Sequence, residues 1–294
     1  MADRIERVGI LTALHKPRAV ECTGRLVAAL REAGAEVLLE PRMEALGLTT
    51  EQARTAEDWA RASQLVIAMG GDGTFLAAAR AAAPSGVPIL GVDFGAFGFL
   101  AEEDFEQTLA ALPRLLAGDF ELEERGMLEA RLLAGPAPRT TLHALNDLVL
   151  SRVYALRMAR VKVWVNGDFV TIYPADGLIV ATPTGSTGYN LSAGGPLVDP
   201  QVDCLVLIPI CSHTLDSRPL VVPAHAEICL RAEELHPQEY AEMHLVADGQ
   251  VHAELRPDEE ISISAAPFRA RVVRMGPASF YARLREKLHW GTER

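Results

Sequence analysis

The apolar positions of the first ~120 residues fall into short solid runs separated by stretches with helical spacing. Val8-Gly9-Ile10-Leu11 reads as a buried strand. From Ala19 to Ala33 the apolar residues Val20, Leu26, Val27 and Leu30 recur on one helical face, and Gly34 supplies a stop. Glu36-Val37-Leu38-Leu39, Leu65-Val66-Ile67-Ala68-Met69 and Pro88-Ile89-Leu90-Gly91-Val92 read as three more strands. Phe75 to Ala83 is alanine-rich and helical, and Phe105 to Leu116 returns to a helix pattern. Repeated strand–helix units predict a parallel sheet covered by helices, with ligands expected beyond the carboxyl ends of its strands.

After about residue 120 the period changes from helical to alternating. Val161-Lys162-Val163-Trp164-Val165, the turn pair Asn166-Gly167 and then Phe169-Val170-Thr171-Ile172 predict a hairpin. Leu178–Ala181, Cys204–Ile208, Glu227–Leu230, His244–Ala247 and Ile261–Ser264 extend the β-like series, with Asp248-Gly249 as another turn. Tyr281 to Trp290 is helical again. The expected organisation is a parallel-sheet α/β domain over 1–120, an antiparallel-rich β domain over 121–270, and a segment 271–294 that returns to the first domain.

The chain has 294 residues, 49% of them hydrophobic, enough for two cores. A net charge of −11 and the absence of any Lys/Arg-rich run argue against a nucleic-acid partner. No stretch approaches the ~20 apolar residues of a membrane span. The four cysteines lack CxxC spacing and the eight histidines form no HxH or HExxH pattern, so no residue is assigned as a metal ligand. The charged N-terminus has no signal-peptide core, and a cytoplasmic setting is expected. The acidic run Glu121-Leu122-Glu123-Glu124 reads as a solvated face.

Two segments carry the chemistry. Gly70-Gly71-Asp72-Gly73-Thr74 joins a strand to a helix, so its glycines are expected to allow positive φ and close approach, and its amides to face an anion. The spacing is neither that of a P-loop nor of the dinucleotide fingerprint. Asp72 in such a turn repels an anion unless it accepts a proton or holds a metal; the alternative is a tight turn in which it caps the helix. The second segment, Asp176 to Pro200, runs from a buried strand into a loop crowded with Thr182, Thr184, Ser186, Thr187, Tyr189, Asn190 and Ser192. These groups suit ribose, phosphate and base edges without adding charge. GxSxG fails, which excludes a serine-hydrolase elbow. Between them, Asn146-Asp147 interrupts an apolar run, a costly placement unless both are paired.

Gly70–Thr74, Asn146-Asp147 and the segment DGLIVATPTGSTGYNLSAGGP together resemble the NAD kinase family, as do Ser212-His213-Thr214-Leu215, Arg218-Pro219-Leu220 and Asp248-Gly249-Gln250. The resemblance covers nearly the whole chain. It implies a Rossmann-like N-terminal domain, a β-rich second domain, and phosphorylation of the 2′-hydroxyl of the adenosine ribose of NAD by ATP or polyphosphate. It further implies a divalent metal, Mg²⁺, carried mainly on the ATP phosphates, and a homodimer or homotetramer. Carried over by motif, Asp72 is the catalytic base and Gly73 touches the nucleotide. Asn146 and Asp147 hold the ribose or nicotinamide side, and Asp176 faces the nicotinamide riboside. Thr187, Gly188, Tyr189, Asn190, Leu191 and Ser192 line the adenine end, and Arg157 and Gln250 add contacts. The chain departs from the family pattern at Asp147 (commonly glutamate), Asp93 (asparagine), Gly188 (alanine, so a looser loop is expected) and Pro174 (arginine in some members). Two other readings stay open at this point: a lipid kinase sharing the glycine turn, which the polar 182–195 segment disfavours, and a non-catalytic NAD-binding regulator, which has little use for Asp72.

Overall fold

The computed structural model describes residues 4–46, 56–94, 98–101, 103–135, 137–152, 159–212, 214, 216–232, 243–256, 259–276 and 279–291. The chain divides into two units, Met1–Glu124 with Arg269–Arg294, and Arg125–Phe268.

The first unit opens with β1 (Arg7–Thr12), α1 (Pro17–Glu32), β2 (Glu36–Leu39), α2 (Ala56–Ala62), β3 (Leu65–Met69), α3 (Asp72–Ala82) and β4 (Ile89–Asp93). A two-residue β5 (Glu103–Asp104), α4 (Phe105–Ala110) and α5 (Leu112–Leu116) follow. The strands run parallel in the order β2-β1-β3-β4, so every connection crosses over through a helix or turn. β3 and β4 are buried along their whole length, as expected of strands covered on both faces. α1 starts at Pro17, whose fixed φ suits a first helical position, and buries Ala19, Cys22, Thr23, Leu26, Val27 and Leu30. The core gathers Val8, Ile10, Leu26, Leu30, Leu65, Ile67, Leu90 and Val92. The single helix expected over 105–116 is two helices, because Pro113 has no N–H to donate back to residue 109.

β6 (Glu121–Leu133) carries the chain into the second unit. The acidic run therefore begins a strand: Glu121 and Leu122 are exposed, and Glu123 pairs with Arg274 at 2.8 Å. The strands β7 (Pro138–Ala144), β8 (Asp147–Arg152), β9 (Ala159–Val165), β10 (Asp168–Ala175) and β11 (Gly177–Ala181) follow. Next come the short α6 (Tyr189–Ser192), β12 (Cys204–Ile210), β13 (Leu220–Pro223), β14 (Ile228–Ala232), β15 (Met243–Ala247), β16 (Val251–Leu255) and β17 (Glu260–Arg274). One antiparallel sheet has the order β13-β12-β11-β8-β15-β16. In the other, β9 lies between β10 and β14, and β14 pairs the start of β17. The β9–β10 turn is the Asn166-Gly167 pair, with φ of 52° and 84°, the left-handed pair that a two-residue hairpin requires. Leu148, Leu150, Leu178, Val180, Leu207 and Leu245 of the first sheet share a core with Val161, Val163, Ile228, Leu230, Ile261 and Ile263 of the second. This is the packing of a sandwich. The opposite face of the six-stranded sheet buries Val149, Ile179, Ala181, Val206 and Ile208 against Ala193 and Val198 of the polar segment.

β17 ends in the first unit, where Val272 pairs parallel with Ile89 of β4. α7 (Phe280–Leu288) belongs to the same unit, starts at a Ser279 cap and buries Leu284. Among the described residues no helix is long and apolar enough to cross a membrane.

Candidate functional site

In the first unit the glycine turn sits between β3 and α3, as the sequence predicts, with the Gly70 N–H donating to the Val92 carbonyl oxygen of β4 (2.9 Å). None of its glycines adopts positive φ. Close packing explains Gly70 instead: a Cβ there would meet Thr74 Oγ1 at 2.3 Å. Gly71 is the helix N-cap in an extended conformation, and a Cβ on it would lie 3.3 Å from Lys16 Nζ.

Asp72 does not cap its own helix. Its carboxylate turns to the segment after β4. Oδ2 accepts from the Phe99 N–H (2.9 Å), and Oδ1 accepts from Leu100 (3.0 Å) and Ala101 (3.2 Å). Gly98 makes room for it, since a Cβ there would sit 1.8 Å from Oδ1. An ionised carboxylate offers about four acceptor positions. Three are used, which leaves Oδ2 one position for a further donor. Arg283 of α7 feels the Asp72 charge; burial pulls its proton affinity down and Asp72 opposes that shift. Lys16 and Arg283 are two cations that sequence reading did not assign to this turn, because they lie far from it along the chain. Asp93, at the end of β4, is buried, and neither carboxylate oxygen has a hydrogen-bond partner among the described residues.

In the second unit, Leu145-Asn146 forms a bend that leads into β8, whose first residue is Asp147. Its main chain is fastened from two sides. The Asp248 carboxylate, in the β15–β16 turn, accepts from the N–H groups of Leu145 (3.2 Å), Asn146 (2.8 Å) and Asp147 (3.4 Å). Thr182 donates its N–H to the Asn146 carbonyl oxygen (2.9 Å) and its hydroxyl to that of Leu145 (2.6 Å). Gly185 passes so close that a Cβ would lie 2.0 Å from the Asn146 carbonyl oxygen. Asn146 Oδ1 is buried with no partner among the described residues, an acceptor waiting for a donor. Burial and the neighbouring Asp248 charge push the Asp147 carboxyl up to about 7, against a hydrogen bond from the Tyr189 N–H.

The hydroxyl-rich loop divides its labour. Thr182 Oγ1 also accepts from the Gly185 N–H (3.1 Å). Ser186 Oγ donates to the Val198 carbonyl oxygen and accepts from its N–H. Asn190 is fully buried and donates to the carbonyl oxygens of Ser186 (3.1 Å) and Pro196 (2.9 Å). These three brace the loop from within, and so Asn190, expected at the adenine end, has its amide turned inward. Thr187, Gly188 and Leu191 are half-buried, and Tyr189 and Ser192 are exposed. At Gly188 a Cβ would come within 3.2 Å of Asn146 Nδ2 and 3.4 Å of Asp147 Oδ2, so glycine there admits the bend closely.

Of the other expected contacts, Asp176 and Gln250 are described and Arg157 is not. Asp176 Oδ1 accepts from Arg152 Nη2 at 2.5 Å, an ion pair on the opposite end of β8 and β11. Gln250 is exposed in the same turn as Asp248. Arg157, His213 and Leu215 lie outside the described residues. Arg125, missed in the sequence, is buried and donates to Thr184 Oγ1 (3.3 Å). Among the described residues no group of three or more His, Cys, Asp or Glu converges on a metal position.

Comparison with known proteins matches residues 8–120 to a model of the ATP-NAD kinase N-terminal domain and residues 145–275 to one of the ATP-NAD kinase C-terminal domain. An NAD kinase of Moorella thermoacetica is 42% identical over 292 residues, covering 99% of this chain and 91% of the relative. One of Symbiobacterium thermophilum is 42% identical over 274 residues, covering 93% and 95%. Among solved structures, an Archaeoglobus fulgidus NAD kinase in complex with ATP aligns with a TM-score of 0.73 at 28% identity, covering 96% of this chain and 98% of that one. A yeast NADH kinase complexed with NADH shares the fold, with a TM-score of 0.91 at 24% identity, covering 99% and 89%.

Proposed function

The chain belongs to the NAD kinase family, a family of phosphotransferases, and on that premise we propose that it moves a phosphoryl group from ATP to the 2′-hydroxyl of the adenosine ribose of NAD, forming NADP. The observation that carries this reading is the Asp72 carboxylate, held by three main-chain amides with one acceptor position unused. A ribose hydroxyl is a weak nucleophile at neutral pH. Oδ2 of Asp72 takes its proton as the new oxygen–phosphorus bond forms. Phosphoryl transfer depends mainly on alignment and charge stabilisation, so a weak base in a fixed position suffices.

Charge is the harder requirement, since two polyanions meet a chain of net charge −11. The first turn of α3, with Lys16 and Arg283, supplies positive potential at the glycine turn, where Gly73 meets the nucleotide. Mg²⁺ carried on the ATP phosphates would neutralise part of their charge. The protein offers it no cage of its own among the described residues. In the second unit Asn146 Oδ1 and Asp147 accept from hydroxyl or amide donors of the dinucleotide, with Thr187, Gly188, Tyr189, Asn190, Leu191 and Ser192 along its adenine end, Asp176 towards the nicotinamide riboside, and Arg157 and Gln250 as further contacts. Polyphosphate is an alternative donor at the same turn. The reading carries with it a homodimer or homotetramer and a cytoplasmic setting.

Incubation with NAD, ATP and Mg²⁺, followed by an NADP-specific dehydrogenase, tests it. NADP is expected. NAD binding without NADP would instead support a regulator, and repeating the assay with polyphosphate assigns the donor.

A further inference from the structure

The β15–β16 turn holds a carboxylate that the proposed reaction does not use. Asp248 sits at φ +50°, a left-handed conformation that non-glycine residues rarely take, and this turns its side chain back over the start of β8. There it collects three consecutive main-chain N–H groups, those of Leu145, Asn146 and Asp147, while its own N–H donates to the Asp147 carbonyl oxygen (2.9 Å). We propose that Asp248 is a positioning residue for dinucleotide binding: it clamps the 145–147 main chain so that the Asn146 amide and the Asp147 carboxyl are presented to the ligand. This deepens the kinase reading and rests on it.

The surroundings of Asp147 give the clamp a second readout. From the β15–β16 turn it faces Asp248, and from the start of α6 it faces the Tyr189 N–H. Opposite it on β11 stands Ala181, and the segment 182–188 brings hydroxyls and glycine main chain. Among the described residues no cation enters these surroundings. Burial and Asp248 hold the carboxyl at about 7, within the working pH range, and removing the Asp248 charge moves it down.

Two substitutions separate position from charge. In Asp248→Asn one carboxylate oxygen becomes an NH₂, so at least one of the three N–H groups faces a donor in place of an acceptor, and the charge is gone. In Asp248→Glu the charge stays while the extra methylene carries the oxygens off the three amides. Steady-state kinetics of NADP formation are measured from pH 5.5 to 8.5 for both variants and for Asp147→Asn, with far-ultraviolet circular dichroism to confirm folding. In the wild type kcat/KM for NAD rises through a bend near pH 7, as ionised Asp147 becomes the better acceptor. Asp147→Asn abolishes the bend. Asp248→Asn raises the KM for NAD by about 10–100-fold, the usual cost of losing a supporting partner, with kcat changed much less. Its bend moves below pH 7. Asp248→Glu raises KM similarly while the bend stays, and this variant carries the test if Asp248→Asn does not fold. An unchanged KM in either folded variant, or an unmoved bend in folded Asp248→Asn, beside an active wild type, would overturn the inference while leaving the kinase reading intact. A wild type that makes no NADP would defeat the kinase reading itself.

Discussion

Gly98 offers the sharpest test of how Asp72 is held. A methyl group at this position, built on the present backbone, lies 1.8 Å from Asp72 Oδ1 and 2.5 Å from Cγ. Side-chain Cβ atoms do not approach other atoms below 3.0 Å, so Gly98→Ala displaces the carboxylate or the 98–101 segment by at least 1.2 Å. The three hydrogen bonds to Phe99, Leu100 and Ala101, now at 2.9, 3.0 and 3.2 Å, cannot all survive such a shift. Overpacking of this kind costs about 1–3 kcal/mol of stability, and a ~1 Å misplacement of a reacting group costs about 10²-fold in rate. We therefore expect kcat to fall about 10²-fold, equivalent to about 2.7 kcal/mol on the barrier, with the KM for NAD little changed. The assay is NADP formation under saturating NAD and ATP, paired with urea unfolding to confirm that the variant is folded at the assay temperature. A folded Gly98→Ala enzyme with kcat within threefold of wild type would refute the claim that the clamp around Asp72 matters for turnover.

Three further outcomes follow from the same geometry. Asp147, ordinarily at 3.8, is raised to about 7 in the folded chain, so folding holds its proton more tightly than the unfolded state does. The penalty is absent below pH ~4, grows as pH rises through the window to ~7, and reaches the order of 4 kcal/mol above it; urea titrations should find Asp147→Asn gaining on wild type at pH 8 relative to pH 5, and an equal difference at the two pH values would contradict this. Lys16→Ala, which removes the ammonium beside Gly71, should raise the KM for ATP about tenfold, or about 1.4 kcal/mol, while a KM within twofold would mean that Lys16 does not reach the donor. Excess chelator should abolish NADP formation and added Mg²⁺ restore it; turnover that persists in chelator would remove the metal from the account.

Much of the fold was readable because burial is periodic. β2 and β3 match their apolar runs residue for residue, and the Asn166-Gly167 hairpin follows from turn chemistry alone. Where the reading fell short, a local signal was overridden. Glu121-Leu122-Glu123-Glu124 is solvated as expected, with Glu121, Leu122 and Glu124 exposed, but its place at the start of the 13-residue β6 was missed, since the pairing of Glu123 with Arg274 and of Glu124 with Arg269 is information that no window of sequence contains. β17 runs for 15 residues through Pro267, which breaks the strand-like pattern after Ser264. The candidate site was legible as residue types but not as roles. Density of hydroxyls marked the 182–192 loop, but composition cannot separate Ser186, Thr187 and Asn190, whose side chains bond within the loop, from the exposed Tyr189 and Ser192. The glycine turn was recognisable, while its reason differed: close packing at Gly70 in place of positive φ. Lys16 and Arg283 were invisible because each joins its cluster through the fold alone, and Asp248 was legible as a turn residue but not as the acceptor for the 145–147 main chain.

The central claim is that a single carboxylate accepts the proton of the attacking hydroxyl, and Asp72→Asn measures it most directly. The amide keeps the size of the side chain and can still accept main-chain N–H groups through one oxygen, but it cannot take a proton from a ribose. Under saturating NAD, ATP and Mg²⁺, the turnover number for NADP should fall by about 10²–10⁴-fold with NAD binding retained. A folded Asp72→Asn protein that still makes NADP within tenfold of the wild-type rate would contradict the account.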